Sequence, residues 1–224
     1  MCQHLSVSQL SRAYRGASPH QRVEQRRFRL VEAGVDIFGT VGYRAATIEQ
    51  ICAQAGLSKR YFYESFPDSE ALLLACYERC CNEFHAALVK EVAAAPETIE
   101  AQVRAALSGY FGAIDTDGRA ARITLLEVLG VSTTIDEAYA AQFERFTSAV
   151  EMVGGNAFAG SRLPKPQLDV IAQGVFGAIT TIATQWLLDD RRRPREQLVD
   201  ATYVLVLAVF GQLTRSIDKP SRPN

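Results

Sequence analysis

Residues Thr47–Phe66, TIEQICAQAGLSKRYFYESF, constrain the fold more than any other stretch of this chain. Thr47 is a favoured N-cap, and Gln50, three residues on, closes a capping box. Ile48, Ile51, Cys52 and Ala55 fall at i, i+3, i+4 and i+7, which is one apolar helical stripe. Gly56 supplies the left-handed backbone that ends many helices. Ser58 then caps a second helix at once, with Lys59, Arg60, Tyr61 and Tyr63 available to face outward. Two short helices joined by a glycine turn read as a helix-turn-helix over about residues 46–66. A second helix presented in this way fits the major groove of duplex DNA.

The flanking sequence extends this unit. Leu30, Ala33, Gly34, Ile37 and Phe38 repeat at helical spacing, predicting a preceding helix that begins near Arg22 and ends at Gly39–Gly42. Arg22, Arg26, Arg27 and Arg29 cluster at its start, where cations oppose the helix dipole. That placement predicts that they answer to something outside the helix, such as phosphate; a solvated charged helix start is the alternative. Residues 1–66 hold nine Lys+Arg against five Asp+Glu, whereas the remainder holds fifteen against twenty. A basic first third on an acidic body is expected when only that third meets nucleic acid. Residues 1–21 are polar without sustained period and read as a flexible arm, so the DNA-binding unit spans 22–68.

Beyond it, Pro67 breaks the chain and Asp68 caps a long helix at about residues 69–94. Pro96 and Asp117-Gly118 punctuate the chain after that helix. Helices are predicted at about 97–114, 119–131, 134–158, 167–188 and 194–216. Gly154–Pro166 is the clearest internal loop, entered by a fraying helix, and residues 218–224 form a tail. No alternating strand pattern or internal repeat occurs. The expected fold is all-α with about nine helices: a three-helix DNA-binding domain followed by a helical domain over 69–217.

Several function classes lack support. The three histidines, His4, His20 and His85, have no nucleophile pattern nearby, and no P-loop or Rossmann signature is present, so neither an enzyme nor a cofactor is expected. The longest near-apolar run, Val204–Gly211, falls far short of a membrane span. The start of the chain has no apolar signal-peptide core. The five cysteines are odd in number and lack framework spacing, which predicts a reduced, soluble, cytoplasmic protein. Cys76, Cys80, Cys81 and His85 share one stretch of helix, but Cys80 and Cys81 diverge by about a hundred degrees around it. They read as small buried hydrophobes in preference to a metal or redox site. Arg191, Arg192, Arg193 and Arg195 read as a solvated turn in preference to a nucleic-acid patch.

The order of helix, Gly42-Tyr43 turn and TIEQICAQAGLSKRYFYESFPDSEALL resembles the TetR/AcrR family of bacterial transcriptional regulators. Ala33, Phe38, Thr47, Ile48, Ile51, Ala55-Gly56-Leu57-Ser58, Tyr63, Phe66 and Glu70-Ala71-Leu72-Leu73 carry the resemblance, which covers about residues 24–84. It implies that Thr47, Lys59, Arg60, Tyr61 and Tyr63 lie at or near DNA; Ser58, from its N-cap position, and Arg22 and Arg26, from their place at the helix start, are added as candidate contacts. Thr47 and Tyr63 would donate hydroxyl hydrogen bonds to phosphate; Lys59, Arg60 and Tyr61 would face base edges or adjacent phosphates. Leu57, Phe62 and Phe66 read as the packing side. One departure stands out: the family usually carries a Lys just before the Glu of the long helix, and here that position is Ser69. A helix N-terminus and a hydroxyl could still meet phosphate there, with weaker or differently distributed backbone affinity.

The resemblance also implies a homodimer reading a palindromic operator, paired through the last two helices. Gly174, Gly177 and Ala178 would let backbones approach, and Ile171, Val175, Ile179, Ile182, Leu205 and Val209 supply apolar area. The helical body would enclose a cavity for a small-molecule effector. Its expected lining is Phe111, Leu126, Phe143, Phe146, Phe176 and Trp186, with Gln173, Thr180, Thr181 and Gln185 as polar anchors. Effector binding would release the DNA and relieve repression. The alternatives are a ligand-dependent activator, a redox- or metal-responsive regulator using Cys76, Cys80 and Cys81, and, more remotely, a helical protein-interaction adaptor.

Overall fold

The computed structural model describes residues 18–159 and 164–215. The described residues form nine α-helices with no strand, so the fold is all-α as expected. They divide into two compact units, one running to Cys76 and the other starting at Tyr77.

In the first unit, α1 (Pro19–Thr40) starts three residues before the predicted Arg22. Ser18 and Gln21 form a reciprocal capping box there, and Pro19 occupies the first turn, where its missing N–H costs nothing. Leu30, Ala33, Val35 and Phe38 are its buried face. Gly42, at φ 92°, turns the chain into the short 3-10 turn Tyr43–Ala45, and the Tyr43 ring meets Phe38 edge-on at 5.5 Å. Helices α2 (Ile48–Ala55) and α3 (Lys59–Ser65) come next. Helix α4 (Ser69–Ala94) begins in this unit and continues without interruption into the next. Asp68 caps it by accepting a bond from the Ala71 N–H at 2.8 Å.

The second unit takes the rest of α4 with α5 (Ile99–Thr116), α6 (Gly118–Arg122), α7 (Thr133–Ala159), α8 (Lys165–Leu188) and α9 (Arg195–Arg215). Helix α7 runs on to Ala159, inside the stretch expected to be loop. Helix α5 packs along α9, tied by the Arg104–Asp200 ion pair at 2.6 Å and by the Arg104 guanidinium 4.3 Å over the Tyr203 ring. At Gly109, α5 lies so close to α4 that a Cβ would sit 2.8 Å from the Leu88 Cα. The arginine-rich turn after α8 is more than a solvated corner. Asp190 and Arg191 adopt left-handed φ values of 53° and 55°. Arg191 donates to the Ile114 and Asp115 carbonyls at the end of α5, a cation on the negative pole of a helix.

Between α6 and α7 the chain passes through a π-helical turn, Ile123–Glu127, a rare element found mostly at functional sites. Arg122 and Glu127 bridge it at 2.8 Å. The expectation about membrane-length segments needs correction: α8 and most of α9 are long and apolar enough to cross a bilayer by length and composition. Scattered Gly, Thr and Gln conceal the apolar character of α8 from a search for unbroken runs.

Candidate functional site

The helix-turn-helix is built from local rules. The Thr47 hydroxyl accepts from the Gln50 N–H at 3.2 Å while the Gln50 side chain accepts from the Thr47 N–H at 2.9 Å. Ile51, Cys52 and Ala55 bury against the domain core. Gly56, at φ 60°, ends α2 in the left-handed conformation. Phe62 and Phe66 are buried, their rings 6.1 Å apart. That pins α3 so that Lys59, Arg60, Tyr61 and Tyr63 lie on its exposed side. Ser58 occupies the N-cap position of α3, but its hydroxyl makes no capping bond and is exposed.

The exposed face is held by ion pairs within the domain. The Lys59 ammonium bonds the Glu49 carboxylate, which raises the Lys59 pKa and lowers that of Glu49. Arg60 pairs with Glu64 at 3.0 Å, and Arg26 reaches the other oxygen of Glu64 at 3.6 Å. The Arg26 guanidinium also stacks 4.5 Å over the Tyr61 ring.

Two of the four arginines of α1, Arg27 and Arg29, answer to carbonyls within the domain. Arg29 donates to the Ala55 and Gly56 carbonyls at the end of α2. Arg27 donates to the Ser65 carbonyl at the end of α3 at 3.0 Å and lies over the Phe66 ring. Both answer to helix C-termini, where unpaired carbonyls and the dipole favour a cation. Arg26 serves Tyr61 and Glu64. Arg22 alone of the four is exposed without a side-chain partner among the described residues. Arg44, in the turn just before Thr47, is likewise exposed and basic. It is absent from the sequence-predicted set, although its position next to the capping box was an available signal. Ser69 is half-buried in the first turn of α4.

The second unit contains a cavity of about 420 Å³, within the range of roughly 300–1,000 Å³ usual for small-molecule sites. Of the expected lining, Leu126, Phe146, Phe176, Thr180, Thr181 and Gln185 face it. Phe111 and Trp186 do not. They stack edge-on at 5.9 Å in the core, and the indole N–H donates to the Arg193 carbonyl at 2.9 Å. Phe143 packs behind Phe176 at 5.5 Å, and Gln173 is exposed on the outer side of α8. The wall that sequence reasoning missed comes from α4 (Tyr77, Cys81, Phe84, His85, Leu88), from the π turn (Thr124, Leu125) and from α7 (Tyr139, Gln142, Arg145). Tyr139, Gln142 and Phe146 recur at helical spacing, a signal that could have found the α7 side. Among the described residues, no Asp or Glu lines the cavity.

The cysteines lie as expected of small hydrophobes. Cys76 and Cys80 are fully buried, and Cys81 is half-buried at the cavity wall. Burial pushes the Cys80 thiol up to about 12 and the Cys81 thiol up to about 11, well above a reactive range. Among the described residues, no cluster of three metal-ligating side chains occurs.

A capped helix pair presenting basic and aromatic side chains, followed by a helical body with an internal cavity, defines a DNA-binding transcriptional regulator. The family model for bacterial regulatory proteins of the tetR family matches residues 30–76, so the helix-turn-helix domain is of the tetR type. It is 26% identical over 180 residues to the HTH-type transcriptional activator FasR of Mycolicibacterium smegmatis, covering 80% of each chain. It is 22% identical over 187 residues to the fatty acid metabolism regulator protein of Bacillus subtilis, covering 81% of this chain and 93% of that one. Its fold is similar to the crystal structure of FadR from Bacillus subtilis in complex with stearoyl-CoA, with a TM-score of 0.66 at 16% identity over 85% and 98% of the two chains. These relatives are regulators of transcription, and so is this chain; it is not an enzyme.

Proposed function

We propose that this chain is a homodimeric regulator of fatty-acid metabolism that binds a palindromic operator and releases it when a long-chain acyl compound enters the helical body. The observation that carries the ligand class is the acid-free cavity, lined chiefly by Tyr77, Phe84, Leu88, Leu125, Leu126, Phe146 and Phe176. The names of the relatives supply the acyl chemistry: the Bacillus subtilis relative is named for fatty-acid metabolism, and the crystal structure of Bacillus subtilis FadR is a complex with stearoyl-CoA. Helix α4 is shared by both units and is the lever through which a ligand against Tyr77–Leu88 would bias α3. A ligand shifts that equilibrium only by its preference for the released conformation. The working location is the cytoplasm, on the nucleoid when bound to DNA.

Dimerisation is supported by an unmet burial requirement. The apolar windows of α8 and α9 are only 22% and 33% buried within the chain. Val170, Leu188, Val204 and Leu205 are exposed, and a Cβ added at Gly174, Gly177 or Gly211 would meet nothing within 4 Å. Glycines cost helix stability; here they leave a flat strip for a second backbone. Ile171, Ala178, Ile182 and Val209 are half-buried beside it, whereas Val175 and Ile179 are spent in the core. The protein family favours a second copy over a bilayer as the covering partner.

The test is selection of bound duplexes from a random pool, followed by titration of the complex with stearoyl-CoA and measurement of solution mass. A palindrome, a dimer mass and release by stearoyl-CoA are expected; a monomer or a non-repeated site refutes dimeric readout. The likeness to FasR, named an activator, favours a second reading in which the liganded or free dimer activates. A reporter whose output falls on deletion of the regulator selects that reading; one whose output rises selects repression.

A further inference from the structure

Arg145 stands on α7 at the wall of the cavity, and among the described residues no carboxylate pairs with it. Arg79, Arg104, Arg119, Arg122 and Arg195 each pair with a carboxylate. Arg145 is held only by neutral oxygens: its Nη1 donates to the Asn82 side-chain carbonyl at 3.0 Å and to that of Gln142 at 3.3 Å. Two amides on two helices fix the guanidinium in place without neutralising it. Its Nε and Nη2 make no hydrogen bond among the described residues. Among the described residues the lining contains no carboxylate to compensate the charge, and the other ionisable base on it is His85, one turn beyond Cys81 on α4. Arg145 and His85 are both exposed, whereas Phe84 and Leu125 are buried. The cavity is thus apolar at depth and cationic where it meets solvent.

We propose that Arg145, supported by His85, anchors the anionic head of the effector, so that the site selects a long apolar chain ending in a carboxylate or phosphate and rejects a neutral chain of the same length. The proposal rests on the acyl-ligand reading above and adds which end of the ligand is recognised and by what. A fixed, uncompensated guanidinium offers paired N–H donors to a planar carboxylate or to phosphate oxygens. Asn82 and Gln142 hold it ready, so little rotamer entropy is lost on binding. Free fatty acids and acyl-CoA thioesters share this chemistry, the first through the carboxylate and the second through its phosphates.

Calorimetric titration of the full-length protein with laurate, lauroyl-CoA and 1-dodecanol tests it, using wild type, Arg145→Gln and Arg145→Lys. Arg145 is exposed, so neither variant threatens the fold. Loss of one charge-assisted contact should weaken the anionic ligands by roughly tenfold to a hundredfold and leave dodecanol unchanged, with Arg145→Lys recovering part of the loss. Weakening of lauroyl-CoA alone identifies the phosphates as the partner; weakening of laurate identifies the carboxylate. If wild type binds dodecanol as tightly as laurate and lauroyl-CoA, or if Arg145→Gln binds all three unchanged, head recognition is overturned and the acyl cavity stands. If wild type binds none of the three, the acyl reading itself falls, and this proposal with it.

Discussion

Arg29 separates two accounts of the basic stretch on α1. Sequence position alone makes it a phosphate contact; the structure makes it the clamp on the end of α2, through the Ala55 and Gly56 carbonyls. Arg29→Met keeps most of the stem and removes the charge and donors. A hydrogen bond from a charged donor contributes about 1.5–3 kcal/mol when sheltered, and this guanidinium is largely exposed, so a loss of about 1–2 kcal/mol is expected. For a chain of this size that lowers the melting temperature by roughly 2–8 °C. DNA binding gives the decisive contrast. A direct phosphate contact contributes about 0.9 to the slope of log K against log salt. The variant should melt earlier yet keep the wild-type slope, measured by fluorescence anisotropy on a selected duplex well below the transition. A slope reduced by about 0.9 per protomer at unchanged melting temperature refutes the clamp and restores the phosphate contact.

Ser69→Lys returns a point charge to the first turn of α4 and should tighten operator binding severalfold while steepening the salt slope by about 0.9 per protomer; unchanged anisotropy titrations would show that no phosphate lies there. Gly109→Ala drives a Cβ against the Leu88 Cα at 2.8 Å and the Ala87 carbonyl at 3.0 Å; backbone cannot yield, so a destabilisation of about 1–3 kcal/mol is expected in thermal or urea unfolding. Cys81, raised to about 11 from an ordinary 9.0, should react with iodoacetamide in the folded protein about a hundredfold more slowly than a free thiol at pH 7.5, as tracked by peptide mass spectrometry. The same shift has a stability consequence. A folded-state pKa above the unfolded one leaves stability intact below pH 9.0 and loses it as pH rises through about 11.

What was legible in the sequence was what short-range chemistry decides. Thr47 with Gln50, Gly56, Pro67 with Asp68 and the Leu72–Cys76–Cys80 stripe each settle their local backbone within one or two turns. Helices read from them fall within a few residues of those observed. Arg29 and Arg27 escape a phosphate reading because their partners are carbonyls some 26 and 38 positions away. A dipole argument made on α1 alone could not see the ends of α2 and α3. The cavity was half-legible for a related reason. Aromatic residues on a helical stripe announce burial, but whether Trp186 fills the core or lines a void depends on the Arg193 carbonyl that takes its N–H. The π turn at Ile123–Glu127 reads as ordinary helix in the sequence, since one extra residue per turn leaves the composition unchanged and only rotates Leu125 and Leu126 toward a different neighbour.

The ion pairs on the recognition face bear on how this protein discriminates among DNA sequences. Lys59 and Arg60 are the two cations of α3, and each is held by a carboxylate, Glu49 and Glu64. A phosphate that draws either cation away leaves a carboxylate unpaired close to another anion. The exchange returns much less than a free lysine would contribute, so the electrostatic term that supplies non-specific affinity is small on this face. The Tyr61 and Tyr63 hydroxyls suffer no such exchange. Tyr61 is pre-set by the Arg26 guanidinium over its ring, and Tyr63 is 57% exposed. If α3 reads DNA as proposed, these two side chains would carry correspondingly more weight against random sequence. In the proposed reading, a single α3 with so little phosphate attraction would need a second copy on the same duplex to hold an operator. The proposed DNA-binding face and the unburied strip of α8 and α9 would both be served by the proposed dimer.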